Sequence, residues 1–279
     1  MPGRTIIITG ASDGIGAAAA RRLTAAGENV VVVGRSRAKT TAVASELGAA
    51  WFVADFARLD SVRELARDLL AAYPQIDVLA NNAGGLMGTR EVTTDGFEKT
   101  LQVNHLAPFL LTNLLMDTLR ASRATVLNTS SIAAQRFGHL DLADLGNTRG
   151  YSPTKAYGDG KLANVLFTRE LHHRFGDNGI STAAFHPGNV ATSFASDTTS
   201  VLRFVYHTPL KRLLLITPER GAEDLVWLAT TAPGTDWVSG AYYAKKRITR
   251  TNKQADDADL ARRLWDRSAE MVGERTPTA

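Results

Sequence analysis

The chain has 279 residues, 44% of them hydrophobic and 22% charged, which is typical of a folded globular protein. It contains no cysteine, which excludes disulfide scaffolds, cysteine-ligated zinc, iron–sulfur clusters and thiol nucleophiles. The net charge of +4 is small, and no basic stripe with interleaved aromatic residues suggests a nucleic-acid partner. No apolar run reaches the roughly 18–20 residues of a membrane span, and no signal peptide is visible, so we expect a cytoplasmic protein.

Short apolar runs alternate with helical patterns along the chain. Because most of these runs are continuous, they are typical of parallel strands that are buried on both faces. The alternation predicts one domain over residues 1–279, an α/β fold of Rossmann type with a doubly wound parallel sheet of about seven strands and helices on both faces. The predicted strands are Thr5–Thr9, Asn29–Val33, Ala50–Ala54, Ile76–Ala80, Ala124–Thr129, Ile180–Phe185 and Gly240–Ala244. The predicted helices are Ile15–Ala26, Arg37–Leu47, Ser61–Ala72, Gly96–Arg120, Ala156–Phe175, Pro218–Thr231 and Ala258–Val272.

A glycine-rich turn follows the first predicted strand and opens the first helix. Gly10 permits a tight reversal, Gly14 lets the backbone approach a phosphate, and Gly16 lets helix and strand pack closely. The free N–H groups at the start of the helix would face a pyrophosphate. An ordinary glycine-rich turn is the alternative, but the flanking strand and helix favour a dinucleotide site. Its predicted residues are Gly10, Ser12, Asp13, Gly14, Ile15 and Gly16.

The glycine spacing resembles that of the short-chain dehydrogenase/reductase family, and further motifs of this family follow in order. The resemblance covers about residues 4–245 and implies hydride transfer between a nicotinamide cofactor and a small molecule. Thr93–Glu98 and Lys161–Phe167 are most similar to members related to retinol dehydrogenases and WW-domain oxidoreductases. The other motifs are Asp55-Phe56, Asn81-Asn82-Ala83-Gly84, Asn104, Ser130-Ser131, Tyr157 with Lys161, and Pro187-Gly188.

The residues after the second predicted strand bear on the choice of cofactor. Proteins that bind NAD usually place an acidic residue there for the ribose 2′-hydroxyl, but here Gly34 takes its place. Arg35 offers a positive charge and a planar donor fork that suit a 2′-phosphate, so we expect NADP(H) rather than NAD(H). Two observations keep the alternative open. Arg35 could simply begin a solvated helix, and Asp13 stands where NADP-preferring relatives often carry a basic residue.

The resemblance implies several further contacts with the cofactor. Asp55 and Phe56 would hold the adenine, although Asp55 could instead cap a helix. Asn82, Ala83 and Gly84 would run beside the adenosine ribose, although Asn82 could simply tie strand backbones together. The residues implied beside the nicotinamide are Pro187, Gly188, Val190 and Thr192.

Tyr157 and Lys161 lie four residues apart in a predicted helix and therefore share one face. A tyrosine hydroxyl titrates near 10, and a neighbouring ammonium group together with the oxidised nicotinamide would lower that pKa, which suits proton exchange with a substrate. Tyr151 and Lys155 have the same spacing, but Pro153 argues against a continuous helix across that pair unless it lies in the first turn. We therefore predict that Tyr157 and Lys161 are catalytic.

Two further residues complete the predicted catalytic set. Ser131 ends the fifth predicted strand, at the edge where such sheets bind ligands, so its hydroxyl can hold the substrate oxygen. We assign the role of a helix cap to Ser130 or Thr129 instead. Asn104 lies inside a predicted helix, where asparagine is unfavourable. A core hydrogen bond would explain it, and the resemblance implies a water site that links it and the lysine to solvent.

Substrate and assembly are less specified. Residues 193–216 form an apolar insertion that fits either a lid over an apolar pocket or a core helix. The resemblance implies a lipophilic ketone, aldehyde or alcohol as substrate. The helices Phe97–Arg120 and Ala156–Phe175 are long and apolar on more than one face, and relatives pair these helices, so we expect a homodimer or homotetramer. The histidines have no metal-like spacing, and we expect no metal. The alternative function is a catalytically silent NADP-binding sensor, which would not need the catalytic residues.

Overall fold

Eight strands join one sheet within residues 3–188 and 216–274, the part of the chain that the computed structural model describes. The strands are β1 (Thr5–Thr9), β2 (Asn29–Gly34), β3 (Ala50–Val53), β4 (Val78–Asn81), β5 (Thr125–Thr129), β6 (Ser181–Phe185), β7 (Tyr242–Ala244) and β8 (Arg247–Ile248). The helices are α1 (Gly14–Ala25), α2 (Arg37–Leu47), α3 (Leu59–Ala72), α4 (Lys99–Leu101), α5 (Ala107–Leu114), α6 (Met116–Ala121), α7 (Ile132–Arg136), α8 (Pro153–Phe175), α9 (Pro218–Gly221), α10 (Glu223–Thr230) and α11 (Ala258–Val272), with a π-helical turn at Gln102–Leu106 and a 3₁₀ turn at Lys253–Asp256.

The strand order is β3-β2-β1-β4-β5-β6-β7-β8. β1 to β7 are parallel, and β8 pairs antiparallel with β7. The doubly wound parallel sheet is therefore confirmed, with a short eighth strand that the sequence analysis missed. The winding direction reverses between β1 and β4, and open α/β sheets bind their ligands at such a reversal, beyond the carboxyl ends of the strands. Ile6, Ile7 and Ile8 of β1 are fully buried, as expected for a strand covered on both faces.

The predicted helix Gly96–Arg120 is divided into α4, the π-helical turn, α5 and α6. The side-chain amide of Asn104 donates to the carbonyl oxygen of Thr100 at 2.9 Å, four residues earlier. That acceptor would otherwise serve the backbone N–H of residue 104 in an α-helix, so the side chain competes with the regular hydrogen-bond pattern. Single π turns of this kind occur frequently at functional sites.

Helix α11 covers an apolar face of α5 and α8. The ring of Trp265 lies 5.0 Å from that of Phe109 on α5, and 5.5 Å and 6.0 Å from those of Phe167 and Phe175 on α8 (centroid distances). The prediction of a homo-oligomer was based on apolar faces of these helices. One of those faces is covered by α11 of the same chain, and self-association stays a prediction. No helix in the described ranges is long and apolar enough to cross a lipid bilayer.

Candidate active site

The glycine turn between β1 and α1 lies directly against the end of β4. Gly10 has a φ of +66°, and a Cβ there would lie 2.8 Å from the Cα of Ala83. A Cβ at Gly16 would collide with the carbonyl oxygen of Gly10 and lie 2.8 Å from the Cα of Ala11. These are backbone atoms that cannot move aside, so only glycine fits. A pyrophosphate suits this turn, because the backbone N–H groups at the N-terminus of a helix bind anions.

Asn82 ties β1 to β4, as its simpler interpretation predicted. Its side-chain amide donates to the carbonyl oxygens of Thr9 at 3.0 Å and Gly10 at 3.3 Å. The hydroxyl oxygen of Thr9 accepts the backbone N–H groups of Asn82 and Ala83, both at 3.0 Å. Thr9 therefore positions the Asn-Ala-Gly segment, a role that the sequence analysis missed although this threonine directly precedes the first glycine of the motif. Contacts of this segment with a ribose stay predictions.

At the end of β2, the position of the acidic residue of an NAD site is crowded by neighbouring side chains. A Cβ at Gly34 would lie 2.7 Å from the Cβ of Ser12 and would collide with the hydroxyl of Thr40. Arg35, the next residue, is exposed at this edge. Its guanidinium group therefore suits a 2′-phosphate in charge and accessibility. Arg37 lies instead over the ring of Trp51, with 5.3 Å between its guanidinium carbon and the ring centroid.

Asp13 caps a helix and forms an ion pair, and the sequence analysis predicted neither contact. One carboxylate oxygen accepts the backbone N–H of Gly14 at 2.7 Å, so Asp13 caps α1. The other accepts from the ammonium group of Lys39 at 2.9 Å. Lys39 lies 26 residues further along the chain on α2, so no local sequence pattern predicts this contact.

Asp55 does not cap α3, and that alternative is wrong. Its carboxylate accepts the backbone N–H of Ala57 at 3.0 Å in a local turn, and the helix begins only at Leu59. The N–H of Leu59 is bound by Asp95 at 2.9 Å, from a distant loop. Phe56 is buried, and its carbonyl oxygen accepts from Gln102 at 3.3 Å. The adenine contact of Asp55 and Phe56 stays a prediction.

Ser131, rather than Ser130 or Thr129, caps the helix after β5, which corrects the sequence analysis. Ser131 is the last extended residue before α7, and its hydroxyl oxygen accepts the N–H of Ala133 at 3.1 Å. Ser130 instead donates to the carbonyl oxygen of Lys161 at 2.8 Å. A serine hydroxyl that accepts one hydrogen bond still has its own proton to donate. The capping role therefore orients Ser131 and remains compatible with holding a substrate oxygen.

Tyr157 and Lys161 lie together on α8, beside the end of β5. The ammonium nitrogen of Lys161 is 5.6 Å from the ring centroid of Tyr157 and donates to the carbonyl oxygen of Thr129 at 3.1 Å. Both side chains are buried, and the tyrosine ring packs against Leu86 and Ala133. Burial disfavours the charged form and lowers the pKa of the Lys161 ammonium group to about 7.

The competing pair, Tyr151 and Lys155, does not come together. Pro153 occupies the first turn of α8, so Tyr151 lies before the helix, and its hydroxyl donates to the carbonyl oxygen of Gly88 at 3.3 Å. Lys155 forms an ion pair with the buried carboxylate of Asp159 at 2.5 Å. The same carboxylate group accepts the N–H of His139 at 2.7 Å, so Asp159 secures the loop that follows α7.

Asn104 makes the core hydrogen bonds that its simpler interpretation predicted. Its side chain accepts the N–H of Gly85 at 3.1 Å and donates to the carbonyl oxygen of the same residue at 2.9 Å. At Gly84, an added Cβ would lie 2.5 Å from the side-chain oxygen of Asn104 and 2.9 Å from the ammonium nitrogen of Lys161. Asn104 and Lys161 therefore meet where β4 ends. A water relay there stays a prediction.

The nicotinamide segment is described only in part. Pro187 and Gly188 follow β6, and the N–H of Gly188 donates to the ring nitrogen of His186 at 3.1 Å. Val190, Thr192 and residues 193–215 of the predicted insertion lie outside the described residues. The structure thus brings Ser131, Tyr157, Lys161 and Asn104 to neighbouring strand ends, with the glycine turn and Arg35 at the ends of β1 and β2.

Comparison with known proteins gives a consistent result. A family model described as short chain dehydrogenase matches residues 4–202. "Putative daunorubicin C-13 ketoreductase" from Streptomyces sp. (strain C5) is 42% identical, over 98% of this chain and 94% of that protein. Human retinol dehydrogenase 13 is 37% identical, over 100% of this chain and 87% of that protein. The resemblance to retinol dehydrogenases is therefore confirmed.

Solved structures share the fold. An uncharacterized protein from Mycobacterium paratuberculosis is 32% identical with a TM-score of 0.78, covering 98% of this chain and 95% of its own. A protein from Beutenbergia cavernae, named as a putative NAD(P)-dependent gluconate 5-dehydrogenase and solved with bound NADP, is 26% identical with a TM-score of 0.65. That match covers 82% of this chain and 90% of the other.

Proposed function

The chain belongs to the short-chain dehydrogenase family and is an oxidoreductase that acts on CH–OH or carbonyl groups. On that premise we propose its cofactor, its substrate class and its catalytic residues. The proposed reaction is NADP(H)-dependent reduction of a carbonyl group, or the reverse oxidation of an alcohol, on a lipophilic small molecule. The ketoreductase and retinol dehydrogenase relatives both bear names of lipophilic substrates, and this supports the substrate class.

The end of β2 supports NADP(H) as the cofactor. Gly34 offers no carboxylate, which is the usual partner of the 2′-hydroxyl, and Arg35 beside it provides a cation for a 2′-phosphate. The relative from Beutenbergia cavernae, which was solved with NADP, agrees with this choice. Gly10, Gly14, Gly16 and Arg35 would hold the phosphates, and the segment Asn82–Gly84 would line the ribose.

The observation that carries the proposed mechanism is the burial of Lys161 beside Tyr157. When bound, the nicotinamide supplies or accepts the hydride. In the reducing direction, the Tyr157 hydroxyl donates a proton to the substrate oxygen while Ser131 holds that oxygen with a hydrogen bond. The Lys161 ammonium group stabilises the resulting phenolate, and a proton from solvent restores the hydroxyl. Asn104, next to Lys161, would hold a water for that return.

Tyr157→Phe tests the mechanism. We expect kcat with NADPH and a panel of apolar ketones to fall roughly 100- to 10,000-fold, because a general acid is lost while the ring packing remains. The affinity for NADPH should stay within about twofold of wild type, since no charge is removed. Tyr151→Phe is the matched control and should leave kcat unchanged. Turnover that survives Tyr157→Phe would refute the assignment.

The same panel tests the alternative from the sequence analysis, a catalytically silent NADP-binding sensor. A sensor would bind NADPH with ordinary affinity but reduce none of the ketones and oxidise none of the alcohols. The intact set of Ser131, Tyr157 and Lys161 favours the enzyme, because a binding protein gains nothing from a buried lysine beside a tyrosine.

A further inference from the structure

An ion pair spans the edge of the site where β2 ends. Gly34 is enclosed by Ser12 on one side and Thr40 on the other. A charged residue adjoins each of these in the chain: Asp13 follows Ser12, and Lys39 precedes Thr40. The ammonium nitrogen of Lys39 lies 2.9 Å from a carboxylate oxygen of Asp13, so the pair bridges α1 and α2 beside Gly34.

The charge of Asp13 poses a difficulty for an NADP site. A phosphate monoester carries a charge of about −1.5 to −2 at neutral pH, and an uncompensated carboxylate at this edge would repel it. Both side chains of the ion pair are more than half exposed, at 59% for Lys39 and 52% for Asp13. An exposed pair of this kind contributes little to stability, so its lysine can change partners at small cost.

We propose that Lys39 determines the preference for NADP(H) by neutralising Asp13 and sharing its ammonium group with the 2′-phosphate. Arg37 has a different contact, because its guanidinium group lies over Trp51. The phosphate carries more negative charge than the carboxylate, so Lys39 moves toward it when the cofactor binds. This inference rests on the proposed cofactor but not on the proposed catalytic residues.

The test is a double-mutant cycle measured by equilibrium binding of NADPH and NADH to the full chain, without turnover. Lys39→Met should weaken NADPH binding roughly tenfold, because it removes a charge-assisted contact with the phosphate and one positive charge beside Asp13. Asp13→Asn should strengthen NADPH binding several-fold, and asparagine remains a good cap for α1. The double variant should bind NADPH nearly as wild type does. NADH affinity should stay within about twofold throughout, since NADH has no 2′-phosphate.

The controls separate this inference from simpler explanations. Lys99→Met breaks another lysine–carboxylate ion pair, between Lys99 of α4 and Glu91 at 2.7 Å, and should change neither affinity. Binding of 2′,5′-ADP and 5′-AMP repeats the comparison without the nicotinamide, so the result is independent of the catalytic assignment. Equal loss of NADPH and NADH affinity in Lys39→Met would overturn the proposal. So would a double variant that binds NADPH as weakly as Lys39→Met, because Asp13 would then have no part.

Discussion

The two ends of the candidate site are built differently. At the phosphate end, backbone atoms form the turn around Gly10 and Gly16, and the charged side chains of Asp13 and Lys39 are more than half exposed. At the reactive end, Lys161 and Asn104 are 2% and 0% exposed, and both form hydrogen bonds with backbone groups of neighbouring elements. Substitutions of side chains at the phosphate end should therefore change affinity for the cofactor, whereas those at the reactive end should change stability and chemistry together.

The largest expected difference is between the effects of replacing Lys161, at the reactive end, and Lys39, at the phosphate end, on the free energy of unfolding. Burial lowers the pKa of Lys161 to about 7, against about 10.4 in an unfolded chain, so the unfolded state binds more protons between these values. Stability of the wild type should therefore rise with pH across this window, by on the order of 4 kcal/mol. Lys161→Met should be more stable than wild type at pH 7 and lose that advantage toward pH 10. Lys39→Met should change stability by less than about 1 kcal/mol, because its ion pair is exposed.

Urea unfolding of the cofactor-free protein at several pH values measures these free energies. The slope of stability with pH is the informative quantity, since a methionine that simply packs well would stabilise the protein equally at every pH. A slope that is the same in wild type and Lys161→Met would contradict the burial argument.

Two glycines provide a second contrast. At Gly16, an added methyl group meets backbone atoms of Gly10 and Ala11, so Gly16→Ala should destabilise the fold by about 1–3 kcal/mol and weaken NADPH binding. At Gly84 the methyl group meets the ends of the Asn104 and Lys161 side chains, which can move. Gly84→Ala should therefore fold with a smaller loss and show its main defect in kcat. Thermal unfolding measures the loss of stability in each variant, and steady-state kinetics measures the loss of kcat. Equal losses of kcat in Gly16→Ala and Gly84→Ala would contradict this prediction.

Two helix caps give the smallest contrast. Ser131→Ala removes the cap of α7 and should cost about 1 kcal/mol, with a further loss in kcat if its hydroxyl holds the substrate. Ser36 caps α2 through a longer hydrogen bond of 3.5 Å to the N–H of Lys39, so Ser36→Ala should cost less. At saturating NADPH, Ser36→Ala should leave kcat unchanged. If Ser131→Ala also left kcat unchanged, Ser131 would cap α7 and would not hold the substrate.

The sequence could predict what depends on residues close together in the chain. The glycine turn and the spacing of Tyr157 and Lys161 are local, and the parallel strands carry continuous apolar runs, so these features were predicted correctly. The pairing of Asp13 with Lys39 and of Asn104 with Gly85 joins separate elements, and neither has a local pattern. The cap at Ser131 was missed because α7 has only five residues, and β8 because it has only two.

The position of helix α11 near the end of the chain has a consequence for folding during synthesis. The ribosome makes α11 after β1 to β8, so Phe109, Phe167 and Phe175 lack their contact with Trp265 until α11 docks. Ser268 of the same helix lies 2.9 Å from the imidazole of His105, which adjoins Asn104 in the π turn. The packing around the turn that carries Asn104 is thus completed only after α11 has been synthesised.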